Sequence, residues 1–261
     1  MSDSRPLLTD MAGALFAELR GKADDVIWTR LNEAGFASLL VPENQGGFGG
    51  DWGDVFAVMR LAGMHALPVA LGERIVATKL LADIGQRAPA GLLMLDPDEH
   101  RHLGAFLCIA QAAGALDAAL VMSIEYANTR VQFGKAIGQF QAVQQSLALF
   151  AVEAAAVNVA GQAAAAALDT GDALFEIAAA KLRTNMAIGV GTAIAHQVHG
   201  AIGFTQEYGL HHLTTALIAW RSACGNDRYW ADILGGLACA NGGAGLWSEI
   251  TRRSDASGPV T

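Results

Sequence analysis

A chain of 261 residues can fold as one large domain or two small ones and can bury a substantial core. Hydrophobic residues make up 52% of it and charged residues 16%, which calls for many fully buried helices or a large subunit interface. A net charge of −8 argues against nucleic acid and anionic membrane as partners, and three scattered cysteines (Cys108, Cys224, Cys239) supply neither a disulfide framework nor a zinc cluster. Met1 to Pro6 contains no apolar signal core, and a reducing, cytoplasmic setting is the expectation.

In chain order, residues 7–34 read as two amphipathic helices carrying Leu15, Phe16, Leu19 and then Val26, Ile27, Trp28, Leu31. A short apolar run from Gly35 closes at Pro42. The glycine-dense stretch Asn44 to Asp51 has no phosphate-loop spacing and reads as a turn. Asp51 or Asp54 caps the helix that follows through Val55, Phe56, Val58, Met59 and Leu61, and another helix spans Glu73 to Ile84. Proline and glycine then mark a boundary between Gln86 and Glu99.

Beyond it the chain reads as helical with few breaks: His100 to Tyr126, Gln141 to Asp169, Asp172 to Val190, Gly191 to His199, His211 to Ala223, and one more from Asp227. The turn Asp169 to Asp172 suits a helix stop followed by an N-cap. Leu103 to Ile124 is apolar enough to span a bilayer, but Gln111, Asp117 and many small residues fit a buried bundle helix better. The expected fold is all-α: an N-terminal helical domain (1–90), a linker (91–99), a C-terminal four-helix bundle (100–250) and a disordered tail (251–261). His196 and His199 are three apart and His211 and His212 adjacent, yet no acidic or cysteine residue stands at ligand spacing, so no metal is expected.

Three motifs, in order, carry a resemblance. They are Gly35 to Gly50, with Leu40-Val-Pro-Glu-Asn-Gln-Gly-Gly-Phe-Gly-Gly50; Tyr126 to Lys135, with Phe140-Gln141 and Gln144 behind it; and Gln197 to Tyr208. Together they resemble the acyl-CoA dehydrogenase family. The resemblance implies FAD as cofactor. Arg130 would reach the pyrophosphate of a neighbouring subunit's flavin with paired guanidinium donors. Gln132 and Phe133 would lie beside it, and Gln197, Gly200 and Ala201 would cradle the ADP part. His199 and Glu207 read as further pieces of that turn. Ala201 stands where the family usually has a second glycine.

Two departures are expected to matter. Only the short linker occupies the place of the family's middle β-domain. The family's catalytic glutamate falls on Cys224 in one alignment and on Gly104 in the other, so no catalytic residue is assigned; a carboxylate of tuned pKa is what the reaction needs. The stretch Gly200 to Leu213, with Gly225-Asn226-Asp227, looks most like the heteromeric branch associated with steroid breakdown. The resemblance therefore implies a subunit that, with an acyl-CoA dehydrogenase-like partner chain or a second copy of itself, contributes to an FAD site for α,β-dehydrogenation of an acyl-CoA. Two alternatives stay open: a non-enzymatic oligomerisation or regulatory module on the same fold, and a stand-alone enzyme using Cys224 or Asp227.

Overall fold

The computed structural model describes residues 5–89, 93–240 and 242–255. Among these there are ten α-helices and a single two-stranded ribbon, so the all-α expectation holds. Helices α1 (Arg5–Leu19), α2 (Asp24–Glu33), α3 (Trp52–Met64) and α4 (Leu71–Asp83) form the N-terminal part. The first residues of α3 show why it starts there. Asp51 accepts from the Asp54 N–H at 2.8 Å while Asp54 accepts from the Asp51 N–H at 3.2 Å, a reciprocal cap that stabilises a helix start by about 1 kcal/mol. Arg5 pairs with both carboxylates, at 2.5 and 2.6 Å, and ties α1 to this corner.

The glycine-dense loop is the turn expected of it. Its amides are spent on its own backbone, Gly49 N–H on Val41 O at 2.8 Å and Gly50 N–H on Leu39 O at 2.9 Å. No donors are left to cradle a phosphate at those positions.

Helix α5 (Arg101–Thr129) is the axle of the molecule. It packs against α3 and α4 on one side and, on the other, against α6 (Gln141–Thr170), α7 (Leu174–His199) and α8 (Leu210–Ser222). The α3–α5 crossing is a backbone contact. A Cβ at Gly63 would collide with the Gln111 carbonyl, and one at Gly114 with the Arg60 carbonyl, so only glycine permits this approach. Asp117, the charge that interrupts the apolar run, pairs with Arg60 at 2.5 Å and accepts from Asn158 at 3.1 Å. The most apolar window of α5 is 72% buried inside the protein, as a bundle helix requires. One continuous core runs from Phe16 through Phe56 and Phe106 to Phe150. The boundary at 91–99 is thus a break in helical sequence and not in packing; residues 90–92 lie outside the described residues.

Three expectations need correction. Helix α7 runs unbroken through Gly191, because that glycine packs against the Phe150 ring instead of ending a helix. Asp172 is not its N-cap. Gly171, at φ 91, ends α6; Ala173 caps α7; and Asp169 accepts from the Trp52 N–H at 3.0 Å, serving α3 instead. The tail expected to be disordered from residue 251 is helical as far as Asp255, in α10 (Gly242–Asp255), which follows α9 (Asp227–Ala240). Arg253 draws α10 onto α7 through Glu176 at 3.0 Å and Asp172 at 3.1 Å.

Candidate functional site

The residues read as cofactor-binding converge at the C-terminal end of α5. There Val131–Gln132 (β1) pairs with Lys135–Ala136 (β2) in a hairpin whose two-residue loop is Phe133-Gly134. Both loop residues have positive φ, 52° and 80°, as a type I′ turn demands. Glycine adopts this without cost and phenylalanine does not. The strained ring is 92% exposed.

Arg130, Gln132, Gln197, Gly200 and Ala201 line one cavity of about 440 Å³, together with Tyr126 and His199. Phe133 lines a neighbouring one of about 340 Å³ that shares Gln132 and Gln197. Arg130 is exposed and has no ion pair or side-chain hydrogen bond among the described residues; the Gln197 amide is likewise unpaired. Gly200, the C-cap of α7, has φ 62 and open space before its missing side chain.

The wall behind these groups is rigid. The His199 ring stacks on Tyr126 at 4.7 Å, donates from Nδ1 to the Ala195 carbonyl at 2.8 Å, and accepts at Nε2 from the Tyr208 hydroxyl at 3.1 Å. Burial pushes its pKa down, so the ring is a neutral positioning element. Glu207 stands apart from this groove. It lines a different cavity, of about 910 Å³, with Arg20, His65 and Glu73. His196 is spent on Thr214 Oγ1 at 3.1 Å.

The second place of interest is the N-terminal end of α5. Gly104 and Cys224, onto which the sequence resemblance aligns the family's glutamate, are 120 residues apart in sequence and adjacent in space: a Cβ on Gly104 would lie 2.6 Å from Cys224 Sγ. Cys224 has φ 56, and its carbonyl accepts from Trp230 Nε1 at 3.0 Å. Cys108, one turn beyond Gly104 on the same helix, is buried. Behind the pair lies Lys181, fully buried, with Nζ donating to Asn185 Oδ1 at 2.6 Å and to the Trp220 and Arg221 carbonyls at 3.0 and 3.1 Å.

The Cys108 thiol, helped by the Lys181 ammonium and opposed by burial, draws the Cys224 thiol down to about 7. Cys224 in turn, with burial, pushes Cys108 well up, and burial pulls Lys181 down. Asp227 is committed elsewhere: Arg221 holds it at 2.7 Å and lowers its pKa. Sequence reasoning missed Lys181 and Cys108. Their signals were faint: a lysine four residues before Asn185 in an alanine-rich helix, and a cysteine four residues after Gly104.

Comparison with known proteins places the chain. The family model for the acyl-CoA dehydrogenase C-terminal domain matches residues 101–235, from the start of α5 into α9. The chain is 27% identical to the acyl-CoA dehydrogenase IpdE2 of Mycobacterium tuberculosis (strain ATCC 25618 / H37Rv), over 80% of its own length and 89% of that protein's. It is 29% identical to acryloyl-CoA reductase (NADH) of Anaerotignum propionicum, over 69% of its length but only 44% of that protein's. Among solved structures, a steroid acyl-CoA dehydrogenase, the Tcur3481-Tcur3483 G363A variant, superimposes with a TM-score of 0.82 at 18% identity, covering 91% of this chain and 98% of that one. The ChsE4-ChsE5 complex from Mycobacterium tuberculosis gives 0.72 at 18% identity, covering 100% and 99%. Among the described residues nothing corresponds to a middle β-domain. The chain belongs to the acyl-CoA dehydrogenase family.

Proposed function

We propose that the chain is one subunit of a heteromeric acyl-CoA dehydrogenase, cytoplasmic and employed in lipid or steroid catabolism, that completes the FAD site of a partner chain. The observation that carries this reading is the groove at the hairpin: a lone arginine, an unpaired glutamine, a glycine with open space before it, and a phenylalanine held outward at a strained φ. A cavity of about 440 Å³ on an open surface gives part of the enclosure a dinucleotide needs. These residue types fit the group. Arg130 offers two parallel donors to a pyrophosphate, Gln197 a donor and an acceptor, Gly200 close backbone approach, and Phe133 an apolar face.

Bound there, FAD supplies the hydride acceptor for α,β-dehydrogenation of an acyl-CoA. The α-proton must go to a carboxylate, and Gly104 and Cys224 provide none, so the base belongs to the partner. Helix α6 supports an assembled state: Leu149, Val152, Ala156, Val159, Ala163 and Ala166 follow a 3-4-3-4-3 spacing, most of them exposed, which is the pattern of a helix–helix seam. The names of the steroid acyl-CoA dehydrogenase and the ChsE4-ChsE5 complex support a heteromer as well.

The test is to purify the chain alone and co-expressed with an acyl-CoA dehydrogenase-like chain that keeps its glutamate. The chain alone is expected to be colourless and inactive with added FAD. The complex is expected to be yellow and to reduce its flavin with acyl-CoA, and Arg130→Ala to weaken flavin retention at least about tenfold, the loss of roughly one charge-assisted interaction. Turnover of acyl-CoA by the chain alone would overturn the reading. A complex whose flavin content ignored Arg130→Ala would favour the non-enzymatic assembly module.

A further inference from the structure

The corner where the family keeps its base has become a thiol pair facing a buried cation. The absent side chain of Gly104 leaves the room that Cys224 Sγ occupies against α5, one helical turn from Cys108. Any residue larger than glycine at 104 would collide with that sulfur. The left-handed backbone at Cys224, φ 56, is pinned by the Trp230 indole N–H and aims the thiol at α5. A cysteine there costs strain that glycine would avoid.

Lys181 supplies the second observation. It is fully buried, its three hydrogen bonds go to neutral acceptors, and no carboxylate among the described residues pairs with it. Two of those acceptors are last-turn carbonyls of α8, which offer about half a negative charge. Asp227, the nearest acid on α9, is bound to Arg221. Arg101 and Glu73 also bear on the pair, the first favouring and the second opposing negative charge at Cys224. A buried ammonium is costly without an anion, and the anion this corner can generate is the Cys224 thiolate.

We propose that Cys108 and Cys224 form a redox modification site, at which a small hydroperoxide converts the two thiols to an intramolecular disulfide between α5 and the turn after α8. Half-buried Cys224 attacks first and buried Cys108 resolves. The Cys224 thiolate sulfur bonds the terminal peroxide oxygen, the O–O bond breaks, and the leaving oxygen takes the proton as water or an alcohol. Cys224 is then a sulfenic acid. The Cys108 sulfur displaces its hydroxyl, which leaves with the Cys108 proton as water. Two electrons pass from the thiols to the peroxide. This site is independent of the flavin reading, because neither its residues nor its readout involve the groove.

The experiment is peroxide titration of the reduced full chain, followed by thiol counting under denaturing conditions and peptide mass mapping. Free thiols are expected to fall from three to one, with a Cys108–Cys224 cross-linked peptide that thiol reductant reverses. Tryptophan emission should shift in parallel, since Trp230 is bonded to the Cys224 carbonyl. In Cys108→Ser, Cys224 should stop at a sulfenic acid that a cyclic diketone traps; in Cys224→Ser, Cys108 should stay reduced. Oxidation confined to exposed Cys239, or Cys224 advancing to sulfinic acid in the unmodified chain while Cys108 remains free, would overturn the proposal. The mapping of the unmodified chain decides the matter even where a variant fails to fold.

Discussion

The two ends of α5 have been treated in opposite ways. At its C-terminal end the helix runs out to a strained hairpin whose arginine has no ion pair or side-chain hydrogen bond among the described residues and whose Phe133 ring, though edge-on to Phe140 at 6.2 Å, stays 92% exposed. At its N-terminal end the groups turn toward one another: Gly104 against half-buried Cys224, and buried Lys181 bonded to three acceptors. The difference teaches where this chain expects company. Unused hydrogen-bonding capacity persists on a protein surface where a ligand or partner will use it. Buried polar groups, by contrast, must find partners inside the protein, as Lys181 does.

The comparison can be broken most forcefully at the enclosed end. Lys181→Met should lower the unfolding free energy by about 2–4 kcal/mol in a denaturant titration, because it leaves Asn185 and two α8 carbonyls unpaired in the core; a loss below about 1 kcal/mol would show that the corner is wetter than described. Arg130→Lys should leave the stability of the isolated chain unchanged, yet cost flavin retention in the complex about tenfold, roughly 1.4 kcal/mol, since a point charge cannot replace a planar fork. Equal retention would reduce Arg130 to a generic cation.

A third test uses pH. With Cys239→Ser as background, alkylation of Cys224 should accelerate as pH rises through about 7, because the thiolate is the nucleophile. In Lys181→Met, which removes the stabilising cation, the midpoint should move upward; an unchanged midpoint would show that Lys181 does not stabilise the Cys224 thiolate. The smallest effect is Phe133→Gly. It should stabilise the isolated chain by about 0.5–1 kcal/mol, through relief of the left-handed backbone, while weakening the assembled complex. A gain in stability with no change in assembly would make the exposed ring idle.

Much of this could be seen in the chain beforehand, for identifiable reasons. Helices α1 to α6 announce themselves through apolar spacing and breakers, and the groove residues through motifs whose members lie close in sequence or at helix ends. Gly191 misled because a glycine inside a helix can serve packing as easily as a break, and here the Phe150 ring decides. Arg252 and Arg253 misled because charged residues near a terminus read as solvated, whereas Arg253 is held by Glu176 on α7 and by Asp172 just before it. The corner was illegible for a deeper reason. Nothing in local pattern says that residues 104, 108, 181 and 224 meet; only the crossing of α5, α7 and the turn after α8 brings them together.

Helix α6 bears on the protein's life before assembly. Of its most apolar stretch only 28% is covered by the rest of the chain. A newly made copy therefore presents an apolar stripe, the kind of surface chaperones and proteases survey. In the heteromer proposed above, supply of the two chains would have to be matched, with orphaned copies short-lived, and a cell could set the amount of active complex simply by limiting whichever chain is scarcer.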